Sequence, residues 1–166
     1  MGSGSDPSGR PGMTRIRCDA NTTEATVMAM DPDCIFCKIV AGAVPCFKLC
    51  EDEETLAFMD INPVHDGHCL VIPKAHYPNV FEIAPEAFAA AARTAARLAK
   101  AVNAAVRPDG LNLIQANGVG AGQSVGHVHL HVFPRRLDDG VAINWDPQPG
   151  DRARIAEIAE RIRELL

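Results

Sequence analysis

The segment His127-Val128-His129-Leu130-His131-Val132-Phe133 alternates imidazole and aliphatic side chains with a period of two. On an extended strand, residues two apart share a face. The pattern therefore predicts a strand over Val125 to Phe133, with three histidines on one side and Val128, Leu130 and Val132 turned into a core. Each buried imidazole needs its own polar partners, so three on one face point to a functional constellation rather than to packing. Two chemistries suit such a ladder: a zinc ion held by the three imidazoles, as in metal hydrolases, or nucleophilic attack by an imidazole at phosphorus. The residues just upstream decide between them. Gly120-Ala121-Gly122-Gln123-Ser124 can offer backbone N–H groups and a hydroxyl to an anion, and glycine lets that backbone come close. A phosphate cradle leading into a histidine ladder points to attack on a phosphoryl group.

The rest of the chain supplies an antiparallel scaffold. Ile35 to Val40 reads as a short helical turn closed by Gly42. Phe47–Cys50 and Thr55–Met59 flank the acidic Glu51-Asp52-Glu53-Glu54 as a hairpin. Asp60-Ile61-Asn62-Pro63 is a turn, His68–Ile72 a strand stopped by Pro73, and Leu111–Ala116 another strand. Pro85 to Val106 is the clearest helix: Pro85 suits its first turn, and Phe88, Ala92, Ala95, Leu98, Ala99, Val102 and Val106 form a stripe at helical spacing. Asp151 to Leu166 is an amphipathic helix with Ile155, Ile158, Ile162 and Leu165 on one face. Strands gather around one long helix without βαβ alternation, so the expected class is α+β, an antiparallel sheet of about five strands with one long helix and a C-terminal helix.

The 166 residues suit one compact domain. Residues 1–31 read as a disordered tail with a linker-like start, leaving 32–166 as the domain. No secretory signal or membrane-span pattern is visible, so a cytoplasmic location with reduced thiols is expected. The six cysteines are then not a disulfide framework, and Cys18, Cys46, Cys50 and Cys69 read as small hydrophobes or free thiols. A net charge of -5 argues against a nucleic-acid partner but leaves room for a local nucleotide site.

The run Gly122-Gln123-Ser124-Val125-Gly126-His127-Val128-His129-Leu130-His131-Val132 resembles the signature of the histidine triad (HIT) family. Asp60-Ile61-Asn62-Pro63 and Gly67-His68-Cys69-Leu70-Val71-Ile72-Pro73-Lys74-Ala75-His76 match that family in order and spacing. The resemblance spans about Cys34 to Arg135. It implies an antiparallel sheet with a long helix, in a homodimer. It makes His129 the nucleophile that takes a nucleotidyl group, with its other ring nitrogen donating to a carbonyl near His127. It has His131 hold a non-bridging phosphate oxygen, and Ser124 and the Gly122 N–H bind phosphate or leaving group. Asn117 is similar to a polar residue beside the α-phosphate, and Gln123 belongs to the same loop. Asp60 would hold the ribose hydroxyls, Ile35, Phe36, Ile39, Phe58 and Ile61 would sandwich the base, and His68 would support the pocket edge. Without the resemblance, Asp60 reads as a turn residue, Phe36 and Phe58 as core, and Gln123 as a loop brace.

Cys34-x-x-Cys37 has zinc-ligand spacing but needs two more ligands; a redox pair and two free thiols are the alternatives. The resemblance implies that His76 and His127 complete a structural zinc site, with no open coordination position. The expected function is hydrolysis or transfer at the α-phosphate of a purine nucleotide through a nucleotidyl-histidine intermediate. Nucleoside phosphoramidates and dinucleoside polyphosphates are the candidate substrates, and AMP a candidate product. Arg135 and Arg136 could reach a longer polyphosphate. A nucleotide-binding regulatory or interaction protein with little turnover would carry the same residues.

Overall fold

The computed structural model describes residues 30–143 and 149–165. These fall into two bodies, one holding residues 30–143 and one holding 149–165. The tail expected over residues 1–31 lies almost wholly outside the described residues.

The first body is built on five strands: β1 (Lys48–Glu51), β2 (Thr55–Met59), β3 (Cys69–Pro73), β4 (Gly110–Ile114) and β5 (Leu130–Arg135). They form one sheet in the order β1-β2-β3-β5-β4, and every neighbouring pair is antiparallel. The β1–β2 hairpin turns on Asp52, whose Oδ1 accepts from the Thr55 N–H at 2.7 Å and the Glu54 N–H at 3.1 Å. Such side-chain mimicry of a backbone turn is why aspartate is frequent at hairpin tips.

Side-chain parity assigns the two faces of the sheet. Ala57, Cys69, Val71, Leu130 and Val132 form one core with α2 (Pro85–Val106), against Ala91, Ala95, Leu98 and Val102. Small alanines let the helix approach the strands closely, where close packing is most favourable. The buried face takes in Ala90, Ala91 and Thr94, outside the expected stripe, while Phe88, Ala92, Ala99 and Val106 of that stripe are only partly buried; Thr94 Oγ1 lies 3.0 Å from Thr55 Oγ1. The helix ends at Arg107, whose φ of 46° is left-handed, immediately before Pro108. Gly67 (φ +87°) lies against this end: a Cβ there would meet Val106 Cγ2 at 3.1 Å. The opposite face carries Leu56, Phe58, Leu70 and Ile72, covered by Cys34, Phe36 and Cys37 of the α1 (Ile35–Val40) region.

The strand expected over Val125 to Phe133 is shifted along the chain. β5 runs from Leu130 to Arg135, and residues 125–129 lead up to it without joining a ladder. The N–H of Val128 donates instead to the Tyr77 carbonyl at 2.7 Å. The strand continues through Pro134 because its register with β3 stops at Val132, so the missing N–H costs no bond on that side. Parity still holds: Leu130 and Val132 face α2 while His131 faces the side covered by α1.

In the second body, α3 (Arg152–Arg163) starts just after Asp151, whose side chain accepts from the N–H groups of Ala153 and Arg154 and so caps the helix rather than joining it. Ile155, Ile162 and Leu165 are exposed. Among the described residues, no helix is long and apolar enough to cross a membrane.

Candidate functional site

Between α1 and the sheet lies a cleft of about 270 Å³. One wall comes from Ile35, Phe36 and Ile39 of α1 and from Val44, Pro45 and Cys46 of the loop behind it. The other comes from Phe58, Asp60, Ile61 and Asn62 at the end of β2, with Leu70 of β3. Ser124, Val125, His129 and His131 close the remaining side. Phe36 meets Phe58 edge-on at 5.6 Å and His129 edge-on at 5.3 Å between ring centres, arrangements favoured by the ring quadrupoles. The expected apolar residues, Asp60, Ser124, His129 and His131 therefore come together around one space. Val44, Pro45, Cys46, Met59, Asn62, Leu70 and Val125 line it too, outside the expected set. Leu70 could have been found from strand parity, since it shares a face with Ile72; the loop residues had no such signal.

His129 is buried, and its Nδ1 lies 2.6 Å from the His127 carbonyl oxygen. A carbonyl only accepts, so Nδ1 carries the proton and Nε2 carries a lone pair. Burial pushes the His129 imidazole below its ordinary range, keeping it neutral. His131 sits beside it, 4.9 Å away between ring centres. Burial, then the His129 and His68 imidazoles, push His131 down to about 4. His68 does not line the cleft but lies behind His131, with Nε2 at 2.9 Å from His131 Nδ1.

The depressed His131 predicts an acid sensitivity. The folded state holds His131 neutral while the unfolded chain protonates it near 6.5. Between those values the unfolded state binds the extra proton. The stabilisation is therefore complete above about pH 6.5 and is lost as pH falls towards about 4. Urea midpoints should drop across that window for the parent and drop less for His131→Asn. Equal slopes in the two proteins would contradict it.

The glycine loop is braced from within. Gln123 Oε1 accepts from the Gly118 N–H at 2.7 Å, while Nε2 donates to the carbonyls of Pro78 at 2.6 Å and Val125 at 3.0 Å. Asn117 Oδ1 accepts from the Val80 N–H at 2.7 Å. Gln123, Asn117 and Gly122 do not line the cleft; the two amides tie the loop to residues 78–80. Gly118 and Gly122 take φ of +76° and +78° around a short 3-10 turn, Val119–Ala121, where side-chain-bearing residues are strained.

His127 faces away from the cleft into a second constellation. Cys34 Sγ, Cys37 Sγ, His76 Nδ1 and His127 Nδ1 are buried, and all four atoms lie within 4.8 Å of one another. His127 Nδ1 is 3.5 Å from Cys34 Sγ, 3.6 Å from Cys37 Sγ and 3.3 Å from His76 Nδ1, and Cys37 Sγ is 3.3 Å from His76 Nδ1. Zinc bonds of about 2.0–2.3 Å place tetrahedral neighbours roughly 3.3–3.7 Å apart, so the donors fit such an ion. His127 Nε2 donates to the Pro73 carbonyl at 2.9 Å, which leaves Nδ1 as the lone-pair atom.

Arg135 and Arg136 do not reach the cleft. Arg135 clamps Asp139 through Nε at 2.6 Å and Nη2 at 2.8 Å, and donates to Asn112 Oδ1 at 2.9 Å. Arg136 donates to the carbonyls of Arg107 and Val106 at 2.6 and 2.8 Å. Both guanidinium groups are committed where β5 and α2 end.

Comparison with known proteins agrees with this geometry. The family model described as HIT domain matches residues 41–138. The adenosine 5′-monophosphoramidase of Schizosaccharomyces pombe is 41% identical over 134 residues, covering 80% of this chain and 98% of the relative. The crystal structure of a HIT family protein from Bacillus anthracis superposes with a TM-score of 0.76 at 38% identity, covering 81% of this chain and 98% of that one. A zinc-bound histidine triad family protein from Mycobacterium smegmatis superposes with a TM-score of 0.63 at 37% identity, covering 78% and 97%.

Proposed function

The chain belongs to the HIT domain family, and we propose that it hydrolyses purine nucleoside phosphoramidates at the α-phosphate, releasing a mononucleotide such as AMP. One observation carries this reading: His129 holds its Nδ1 proton on the His127 carbonyl and turns a lone pair towards an apolar cleft of nucleoside scale. His129 Nε2 bonds to the α-phosphorus as the phosphorus–nitrogen bond to the leaving amine breaks. The amine departs with a proton supplied from solvent beside the Ser124 hydroxyl. Water then attacks the phosphorus and loses a proton to solvent as the bond to His129 breaks; the electron pair returns to Nε2 and the nucleotide is freed. His131 holds a non-bridging oxygen, where charge builds; the Gly122 N–H, expected to share that role, is instead spent on the Val119 carbonyl at 3.0 Å. Asp60 accepts from the ribose hydroxyls, and Ile35, Phe36, Ile39, Phe58 and Ile61 flank the base.

The amine leaving group is favoured over a polyphosphate on electrostatic grounds. Among the described residues no lysine or arginine lines the cleft, and Arg135 and Arg136 are engaged elsewhere. A chain of further phosphates would lack cationic partners. Adenosine 5′-phosphoramidate should therefore exceed diadenosine tetraphosphate in kcat/KM by about a hundredfold or more. The opposite preference would overturn the substrate assignment. AMP binding without cleavage of either compound would instead indicate a regulatory binding protein.

Asp60 makes a separate expectation. Asp60→Asn should weaken discrimination between ribose and dideoxyribose substrates by about tenfold, because a neutral amide is a poorer acceptor. Unchanged discrimination would remove Asp60 from the ribose site.

A zinc ion is proposed at Cys34, Cys37, His76 and His127. With four protein ligands it would supply a structural clamp and no open coordination position. Retained thiol ligands suit a cytoplasmic setting. A homodimer is proposed through α2 and the free edge of β4, where Leu113 is half exposed; sedimentation at the mass of one chain would refute it.

A further inference from the structure

We propose that His68 is a positioning residue that determines which ring nitrogen of His131 carries the proton. Its kinetic consequence rests on the cleft acting at phosphorus, as proposed above; the tautomer is a property of the free protein.

A main-chain N–H can only donate, and one such group fixes the sense of the pair. The Val64 N–H points at His68 Nδ1 at 3.4 Å, so Nδ1 is the acceptor nitrogen of His68. The proton of neutral His68 is then on Nε2. That atom lies 2.9 Å from His131 Nδ1 and 3.6 Å from Asp60 Oδ2. The shorter contact is a hydrogen bond, and the carboxylate a flanking acceptor. His131 Nδ1 must accept, which leaves the His131 proton on Nε2. Among the described residues His131 Nε2 meets no hydrogen-bond partner and is not among the buried unpaired side-chain atoms, so it is open to the cleft that His131 lines. The outcome is an N–H aimed at the substrate space, beside the His129 lone pair.

The reverse order fails at its first link. If His131 Nδ1 donated to His68 Nε2, the His68 proton would move to Nδ1 and face the Val64 N–H, two donors in apposition. His131 would then offer a lone pair to the cleft, where a phosphate oxygen would be repelled. Burial holds both rings in the neutral range, so a tautomer is chosen at each. The His68 ring is itself held edge-on against Phe133 at 4.8 Å between centres, and its residue is buried. The turn Asp60–Gly67 thus sets the hydrogen-bonding sense of a residue on β5 without touching the cleft through His68.

Long-range proton–nitrogen NMR correlation on the 15N-labelled protein reads the tautomer directly. The parent should show His131 protonated at Nε2 and His68 protonated at Nε2. His131 protonated at Nδ1 in the parent would overturn the proposal without any variant and whatever the substrate. His68→Gln keeps an amide donor near the Nε2 position, whereas His68→Met has similar length and none. His68→Gln should preserve the His131 tautomer and most of kcat. His68→Met should give mixed tautomers and a kcat lower by about tenfold, with KM for adenosine 5′-phosphoramidate changed by less than about twofold. A folded His68→Met protein with the parent tautomer and parent kcat would overturn it, as would equal losses in both variants with unchanged tautomers. If the parent cleaves no nucleotide, the spectra still decide the tautomer, so that failure is separate.

Discussion

His129→Ala should lower kcat/KM for adenosine 5′-phosphoramidate by at least about a thousandfold while leaving AMP binding within a few-fold of the parent. The effect is large because nothing nearby can substitute. His131, the adjacent imidazole lining the cleft, presents a proton rather than a lone pair there. Binding survives because the apolar walls, Phe36 and Phe58 among them, and Asp60 belong to other elements. Titration with AMP by calorimetry and turnover by chromatography separate the two effects. Residual activity within tenfold of the parent would refute covalent participation of His129. Loss of AMP binding together with activity would point instead to collapse of the cleft, since alanine also removes the ring that meets Phe36 edge-on.

The second large effect is expected at the buried cysteine and histidine cluster. Elemental analysis should find about one zinc per chain, and Cys34→Ser should lower the melting temperature by on the order of 10 °C. Apparent free energies of roughly 10–16 kcal/mol for structural zinc make the loss of one thiolate costly. Chemistry should change less than stability. Cys34 and Cys37 lie at the start of α1, while His129 is held by the main chain of His127. Below the melting transition, kcat should fall by less than about threefold, and KM should rise first because α1 carries Ile35, Phe36 and Ile39. Equal melting temperatures for variant and parent, with no metal in either, would sink the assignment.

Most of this arrangement could be read from local pattern. A period-two alternation fixes side-chain direction wherever the backbone is extended, so Leu130, Val132 and His131 fall on the faces expected of them. Helical spacing with Pro85 at its start located α2, and its observed bounds are Pro85–Val106. The CxxC spacing marked Cys34 and Cys37, and the motif resemblance brought in His76 and His127. The boundaries of β5 were less legible. The period of two persists through Val125 to Phe133, but ladder formation needs a neighbour, and Val128 finds its acceptor at Tyr77 in a loop. Likewise, no sequence rule distinguishes an arginine free to meet phosphate from one clamped to Asp139.

Residue type and spacing alone determined the chemistry available to this protein: imidazoles in alternation, a glycine-rich approach, two thiols a helical turn apart and an acidic turn. These are short-range properties, carried by backbone periodicity and by what each side chain can donate or accept. The tertiary structure decided how that chemistry is divided. It turned His127 towards two cysteines and His129 towards a cleft, although the two lie only two residues apart. It also placed His68 behind His131, committed Gln123 and Asn117 to bracing the loop, and drew Arg135 and Arg136 away from the site. Each of these assignments is a competition among polar groups for partners, and the partners are distant in sequence: Pro73 for His127, Val64 and His131 for His68, Pro78 for Gln123. Only the folded chain brings them within hydrogen-bond reach, where an unpaired buried group is too costly to leave alone.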